Sequence, residues 1–140
     1  MRFFTAEWAE AARAAVDAGP TEQDRAGKLP AYWSWIDRAR AGYTARWALG
    51  VRDSGEYLVL TWKDGHCTDG SIVRGPAVEA EYVLAADRDV WRSLREGADP
   101  GRVVMYRGLR LEQGDVLAFF RTIYFFVESL AVLARLPAAP

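Results

Sequence analysis

The sequence has too few cysteines and histidines for most familiar catalytic and metal centres. It contains one cysteine, Cys67, and one histidine, His66, among 140 residues. One cysteine cannot form a disulfide within the chain, and one Cys with one His falls short of the three or four protein ligands of a zinc site. The same shortage leaves little material for a Ser–His–Asp or Cys–His mechanism. We therefore predict no metal, and no nucleophilic centre of these kinds.

The chain also lacks an excess of positive charge. Eighteen Lys and Arg stand against nineteen Asp and Glu, which leaves a formal net charge of -1. Proteins that bind a phosphate backbone concentrate positive charge, so nucleic acid is not an expected partner. No glycine-rich loop is followed by Gly-Lys-Ser/Thr, and a nucleotide or other cofactor is not expected either.

The N-terminus lacks the uninterrupted apolar run of a signal peptide, because Glu7 and Glu10 come early in the chain. Without an export signal or a disulfide framework, we expect a cytoplasmic location in which Cys67 stays reduced. The length of 140 residues, with 51% hydrophobic and 26% charged residues, fits one globular domain over residues 1–140.

Residues 1–42 are predicted to be a helical N-terminal segment. Thr5 is a candidate cap for a helix over residues 5–18, which ends at Gly19-Pro20. The polar residues 20–29 predict a loop, and Pro30 is well placed to open a second helix that runs to Gly42.

The second helix contains the aromatic run Tyr32-Trp33-Ser34-Trp35-Ile36. Residues this close together point to more than one side of a helix, so they cannot all face the same interior. Trp33 either packs in the core or lines a groove, contacts a partner or projects to the surface.

Residues 43–85 alternate with the period of strands and predict an antiparallel meander. The segment 57–62 is apolar on both faces, as expected of a central strand. Asp-Gly pairs at 64–65 and 69–70 predict two turns before a short strand at Ile72-Val73. A further strand from Val78 to Leu84 would place Glu79 and Glu81 on a solvated face.

Residues 87–135 predict two short helices, a last strand and a closing helix. Asp87 and Asp99-Pro100 are helix-start signals, Leu109 to Leu111 alternate as a strand, and Asp115 caps an apolar segment over residues 116–135. Helices at both ends of a meander indicate an α+β fold, with a mostly antiparallel sheet of about five strands packed against helices. The βαβ alternation of a parallel sheet is absent from the pattern.

The closing helix is hydrophobic around almost its whole circumference, interrupted by Arg121 and Glu128. Such a helix is buried on nearly all sides, spans a membrane or meets another apolar surface. Its length would suffice for a span, but each charge near the centre costs about 2.5–3.5 kcal/mol in the worst case, and we expect no integral span. A domain of this size has limited interior, which leaves a lipophilic ligand, a second copy in a homodimer or transient membrane contact.

The order of motifs over residues 43–135 resembles the sterol carrier protein type 2 family. The resemblance rests on the strand Glu79-Ala80-Glu81-Tyr82-Val83-Leu84, the helix with Val90-Trp91 and Leu94, Gly97, Asp99-Pro100, the strand Leu109-Arg110-Leu111, and Gly114-Asp115 before an apolar helix. The pattern departs from the family at Arg107 and Gln113, and the segment from Gly19 to Gly42 is longer and more aromatic than the minimal domain.

This resemblance implies a hydrophobic tunnel between the sheet and the C-terminal helix. It implies noncovalent binding or transfer of a lipid, sterol or fatty acyl compound, without catalysis. On that basis the expected tunnel walls are Trp91, Leu94, Val104, Met105, Phe120, Ile123, Tyr124 and Val127. Tyr124, Arg121 and Glu128 are candidate polar contacts, with the charged pair at a tunnel mouth.

Two other classes of function stay open at the level of sequence. The closing helix and the segment 32–36 could bury against a second copy or a larger protein, which predicts stable association and no extractable ligand. Alternatively, Glu79 or Glu81 could serve a small enzyme, which requires a carboxylate with a strongly raised pKa inside an apolar cavity. His66, Cys67 and Asp69 are interpreted as polar residues tolerated in a turn region.

Overall fold

The computed structural model describes residues 2–106 and 108–137. Within these ranges, helices lie on both sides of a run of strands along the chain. The elements are α1 Ala6–Ala18, α2 Glu22–Ala26, α3 Pro30–Arg40, β1 Ala45–Val51, β2 Glu56–Lys63, β3 His66–Arg74, β4 Tyr82–Ala86, α4 Arg88–Arg95, α5 Pro100–Met105, β5 Arg110–Gln113, α6 Val116–Arg121 and α7 Ile123–Ala134.

The strands form one open sheet in the order β3-β2-β1-β4-β5. The predicted α+β class and the mostly antiparallel sheet of five strands are confirmed. The prediction of an antiparallel meander is wrong at one point, because β4 pairs with β1 in parallel, with Trp47 opposite Tyr82. All five residues of β4 are buried, because Tyr82, Leu84 and Ala86 face the main core on one side of the sheet while Val83 packs under Val78 and Ala80 on the other.

The turn predicted at Asp69-Gly70 is wrong, because β3 continues through both residues to Arg74. The glycine serves a close approach of two elements instead. A Cβ on Gly70 would lie 2.6 Å from the carbonyl oxygen of Ala9, so α1 can pack on β3 only where that side chain is missing.

The strand predicted from Val78 is shorter than expected and begins at Tyr82. The chain before it crosses the outer face of the sheet. There Val78 and Ala80 pack against a small apolar cluster of Ala48, Val59 and Val83. The preceding segment therefore contributes a cover for the sheet rather than more strand.

The predicted helix over residues 5–18 is confirmed as α1, and the Thr5 hydroxyl accepts a hydrogen bond from the Trp8 amide at 3.3 Å. The predicted loop over residues 20–29 contains a short helix, α2. The Thr21 hydroxyl accepts a hydrogen bond from the Asp24 amide at 3.1 Å, and the Asp24 carboxylate accepts one from the Thr21 amide at 2.9 Å. This capping box starts a helix among polar residues.

The single closing helix predicted over residues 116–135 is wrong, because the chain bends at Thr122 between α6 and α7. Thr122 has φ -118° and ψ 24°, outside helical values, and its amide bonds the carbonyl of Phe119 at 3.2 Å. Neither proline nor glycine marks the bend.

The main core lies between the sheet and helices α1, α3 and α7, and it is strongly aromatic. Trp47, Trp62 and Phe125 form a triangle with ring centroids 5.0 to 5.6 Å apart, in edge and tilted arrangements.

In the described part of the chain, no helix combines the length and the apolarity needed to cross a membrane.

Candidate functional site

Two of the predicted wall residues, Trp91 and Leu94, lie on the buried face of α4. The indole nitrogen of Trp91 donates a 2.9 Å hydrogen bond to the carbonyl of Gly50, which pins α4 against β1. Phe4 packs edge-on against Trp91 with 5.6 Å between the ring centroids. These contacts set a firm aromatic wall at one end of the core.

A small, mostly enclosed apolar cavity of about 10 Å³ lies beside this wall, and we call it the enclosed cavity. That is the volume of about one water-sized probe sphere, so the side chains fill this part of the interior almost completely. A ligand larger than water would have to displace part of the lining. The cavity is lined by Phe3, Trp8, Trp91, Leu94, Arg95, Leu130, Leu133 and Ala134.

Three further predicted residues, Val104, Ile123 and Val127, are half-buried. Val127 lies at the contact between α5 and α7, since a Cβ on Gly101 would be 3.8 Å from its Cγ1 atom. Val104 and Ile123 pack against the edge of the main core. These residues form an intermediate layer rather than the surface of an open tunnel.

The remaining predicted residues, Met105, Phe120 and Tyr124, are exposed at 77%, 51% and 49%. The structure therefore does not gather all eight predicted residues around one cavity. Trp91 and Leu94 line the enclosed cavity, whereas Phe120 and Tyr124 lie on the outside of α6 and α7. A tunnel wall made by all eight stays a prediction.

We call the exposed side chains of Leu117, Phe120, Tyr124 and Trp35 the outer strip. Tyr124 lies edge-on to Trp35 and to Tyr32, with ring centroids 5.7 Å apart in each case. Tyr124 thus joins the C-terminal helices to α3 through aromatic contacts at the surface.

Trp35 is the residue of the aromatic run that projects outward and is 43% exposed. The sequence pattern placed Trp35 on the apolar face of the helix together with Ile36, and that prediction is wrong. Trp33, which had been the candidate for a groove, packs in the core at 4% exposure and donates from its indole to the Arg25 carbonyl at 2.8 Å. The spacing from Ile36 could have distinguished the two tryptophans. Trp33 lies three residues before the buried Ile36 and shares its face of the helix, whereas the adjacent Trp35 points to another side.

Glu128 and Arg121, predicted as a pair at a tunnel mouth, have different environments. Arg121 is exposed, whereas Glu128 is buried and accepts hydrogen bonds from Lys28 and Tyr32, each at 2.6 Å. Burial, together with the neighbouring Glu128 carboxylate, raises the pKa of the Tyr32 hydroxyl. Glu128 therefore ties α7 to the start of α3.

An open cleft of about 550 Å³ lies between the α4–α5 connection and the C-terminal end of α7. Sequence reasoning named Leu94 as a wall residue but missed the cleft, because its lining comes from two distant segments of the chain. The cleft adjoins the enclosed cavity, and Leu94, Arg95 and Ala134 line both spaces. The other residues of the cleft are Gly97, Ala98, Pro100, Ala131, Arg135, Leu136 and Pro137.

The polar residues considered for catalysis lie elsewhere. Glu79 and Glu81 are exposed and border a shallow depression near Arg46, not an apolar cavity. Cys67 is buried, and this burial raises the pKa of its thiol to about 12, which keeps the thiol protonated and poorly nucleophilic at neutral pH.

An open five-stranded sheet with helices on one face and a parallel pair at its centre defines a two-layer α+β domain. A crystal structure of sterol carrier protein 2 is similar to this chain, with a TM-score of 0.75 and 24% identity, over 97% of this chain and 100% of that one. A conserved hypothetical protein of Thermus thermophilus, itself suggested to be a sterol carrier protein, gives a TM-score of 0.72 and 24% identity over 100% of this chain and 93% of that one.

The chain therefore has the fold of sterol carrier protein 2, which confirms the resemblance at the level of fold. No family model matches the sequence, and a search of curated proteins gives no match.

Proposed function

We propose that this protein binds a hydrophobic small molecule noncovalently, a lipid, sterol or fatty acyl compound, and carries it between sites. The observation that carries the proposal is the C-terminal helical pair, which is apolar on two sides at once. On the inner side Phe119, Phe126 and Leu130 are at most 2% exposed, while on the outer side Leu117, Phe120 and Tyr124 are 49% to 73% exposed. An exposed apolar row on a small domain is typical of a surface that meets a ligand, a partner or a bilayer.

The fold supports the same proposal. Sterol carrier protein 2 has this arrangement of helices over a sheet, as the similarity of the structures shows for the fold. In this chain the space between layers is closed by aromatic side chains, and the enclosed cavity holds about 10 Å³. Binding therefore requires the C-terminal helices to move away from α4 or from the sheet. The bend at Thr122 is a place where α6 and α7 can change their relative angle.

The outer strip would cover part of the ligand or rest on the bilayer during loading. Its aromatic members supply large apolar area with few rotatable bonds. Burying one such side chain contributes roughly 1.5–3 kcal/mol at about 25 cal/mol per Å², so a few contacts give micromolar affinity after the cost of association.

Displacement of a fluorescent fatty acid analogue tests this function. Phe120→Asp places a charge in the outer strip at a residue that is already half-exposed, so we expect a folded protein whose affinity for the probe drops about tenfold or more. Leu29→Asp is the matched control, because Leu29 is 76% exposed at the N-cap of α3, where Asp is favourable. Equal affinity for Phe120→Asp and the unaltered chain would remove the outer strip from the binding site.

The second candidate function is an interaction surface for another copy of this chain or a larger protein. The exposed outer strip is the observation that favours it. Sedimentation velocity separates the two candidates: a ligand-free dimer that Phe120→Asp dissociates supports the interaction surface, while a monomer that takes up the probe supports the carrier.

A further inference from the structure

The open cleft at the C-terminal end of α7 is lined by Arg95, whose guanidinium has a buried nitrogen without a hydrogen-bond partner among the described residues. We propose that this cleft binds the oxyanion headgroup of an alkyl-chain ligand, and that Arg95 is the residue that selects it. This inference rests on the proposed function and adds to it the charge of the ligand, the position of its headgroup and the direction of its chain.

The position of Arg95 is the first observation. Arg95 lines both the open cleft of about 550 Å³ and the enclosed apolar cavity beneath it. On the cavity side its neighbours are the apolar side chains of Leu94, Leu130 and Leu133. A molecule with a charged head and an alkyl tail needs this juxtaposition, with the head in the open part and the tail directed inward.

The hydrogen bonding of Arg95 is the second observation. Its Nη1 atom is buried, and it has no hydrogen-bond partner among the residues that the structure describes. A guanidinium carries its charge at every physiological pH, and an unsatisfied buried donor is unfavourable. The Phe3 ring, with its centroid 5.6 Å from the guanidinium carbon, contacts the group without accepting its in-plane N–H bonds. A carboxylate or phosphate would accept them in a paired geometry.

The charges around the cleft favour an anion as well. Arg135 is the second guanidinium in its lining, and no carboxylate belongs to that lining in the described residues. Arg135 pairs with Asp24, which does not line the cleft, at 3.0 Å. Glu96 follows Arg95 in the chain and is exposed, outside the lining. Among the described residues, Arg95 is therefore the guanidinium of this cleft that has no carboxylate partner.

The path of the alkyl chain follows from the lining of the enclosed cavity. Phe3 is half-buried, and it contacts Arg95 and closes this cavity near the N-terminus. Its displacement would connect the two spaces, whereas Trp91 is held by its hydrogen bond to Gly50. The alkyl chain of the ligand would then enter between α4 and α7.

Three probes with the same sixteen-carbon chain test the inference: hexadecanoate, hexadecyl phosphate and hexadecanol. Binding of each is measured by titration against the full-length protein below the critical micelle concentration. We expect the two anions to bind at least tenfold more tightly than the alcohol. The tighter of the two anions then identifies a carboxylate or a phosphate as the preferred headgroup.

Arg95→Gln removes the charge and keeps a polar, though shorter, side chain. Loss of a charge-assisted hydrogen bond predicts an affinity for the anions about 10- to 100-fold weaker, with the affinity for hexadecanol changed less than twofold. Arg92→Gln is the matched control, because Arg92 lies on the same helix, is exposed and pairs with Asp89 at 3.1 Å. That control should leave the binding of all three probes unchanged.

The outcomes separate the inference from the function on which it rests. If hexadecanol binds as tightly as the anions, or if Arg95→Gln weakens all three probes equally, the headgroup site is wrong while the binding function stands. If none of the probes binds the unaltered protein, the binding function itself fails. Should Arg95→Gln not fold, the Nε–Hε resonance of Arg95 in the unaltered protein decides: a shift with hexadecanoate but not with hexadecanol supports the site, and no shift overturns it.

Discussion

The hydroxyl of Tyr32 donates a 2.6 Å hydrogen bond to the carboxylate of Glu128, across 96 residues of sequence. Lys28 donates to the same carboxylate oxygen at 2.6 Å. The N-terminal helical segment and α7 are therefore joined by a polar contact at the rim of an aromatic core. The carboxylate is largely buried, whereas the Lys28 side chain is 47% exposed.

We predict that Glu128→Gln lowers the free energy of unfolding by about 1–3 kcal/mol, because a buried acceptor of two short hydrogen bonds is weakened. Tyr32→Phe should cost about 1 kcal/mol, since Lys28 still pairs with the carboxylate. Urea denaturation of both variants and their combination measures the coupling. Fully additive losses would contradict a direct energetic link between these residues.

Trp91→Phe is predicted to destabilise the protein by about 1–3 kcal/mol. It removes the hydrogen bond to the Gly50 carbonyl and leaves a small void in a packed wall. Trp35→Phe is the matched control, because Trp35 is 43% exposed, and it should stay within about 0.5 kcal/mol of the unaltered chain. Thermal unfolding by circular dichroism compares them, and equal midpoints would show that Trp91 does not anchor α4.

Gly70→Ala should destabilise the protein by about 1–3 kcal/mol, because the new methyl would lie 2.6 Å from the Ala9 carbonyl oxygen and force α1 off β3. In Gly27→Ala the nearest atom is an ordinary 3.6 Å away and φ is -78°, so that control should be neutral or slightly stabilising. Chemical denaturation of the two variants provides the measurement. A neutral Gly70→Ala would mean that α1 does not pack as closely as described.

The Cys67 thiol should resist alkylation by iodoacetamide at pH 8 in the folded protein and react readily in urea. Burial raises its pKa to about 12 in the folded state, above the value of about 8.5 expected in the unfolded chain. The corresponding contribution to stability is complete below about pH 8.5 and is lost as the pH rises from there toward 12. The stability difference between the unaltered chain and Cys67→Ala should therefore shrink in that range. Rapid alkylation of the folded protein would contradict the burial.

Local signals predicted the starts of several helices well. Thr5, Asp87 and Asp115 precede helices, and the apolar side chains on both faces of residues 57–62 predict a strand with a neighbour on each side in the sheet. These signals depend on neighbouring residues alone. The parallel pairing of β4 with β1 depends on contacts between distant segments, and nothing near β4 in the sequence encodes its partner.

Some sequence patterns were mispredicted because the same pattern can arise for two different structural reasons. Asp69-Gly70 resembles a turn, yet the glycine is needed where α1 crosses β3. An apolar segment without Pro or Gly predicts one helix, yet the chain bends at Thr122. The open cleft is made by residues from two distant segments, including Arg95 and Arg135, and it became visible only when the fold brought them together.

Native mass spectrometry of protein purified without detergent, followed by organic extraction, tests the central claim most directly. We predict a monomer that carries an adduct of lipid mass, released by extraction and lost in Phe120→Asp while circular dichroism shows the fold retained. A ligand-free protein that also takes up no added fatty acid or sterol would contradict the account.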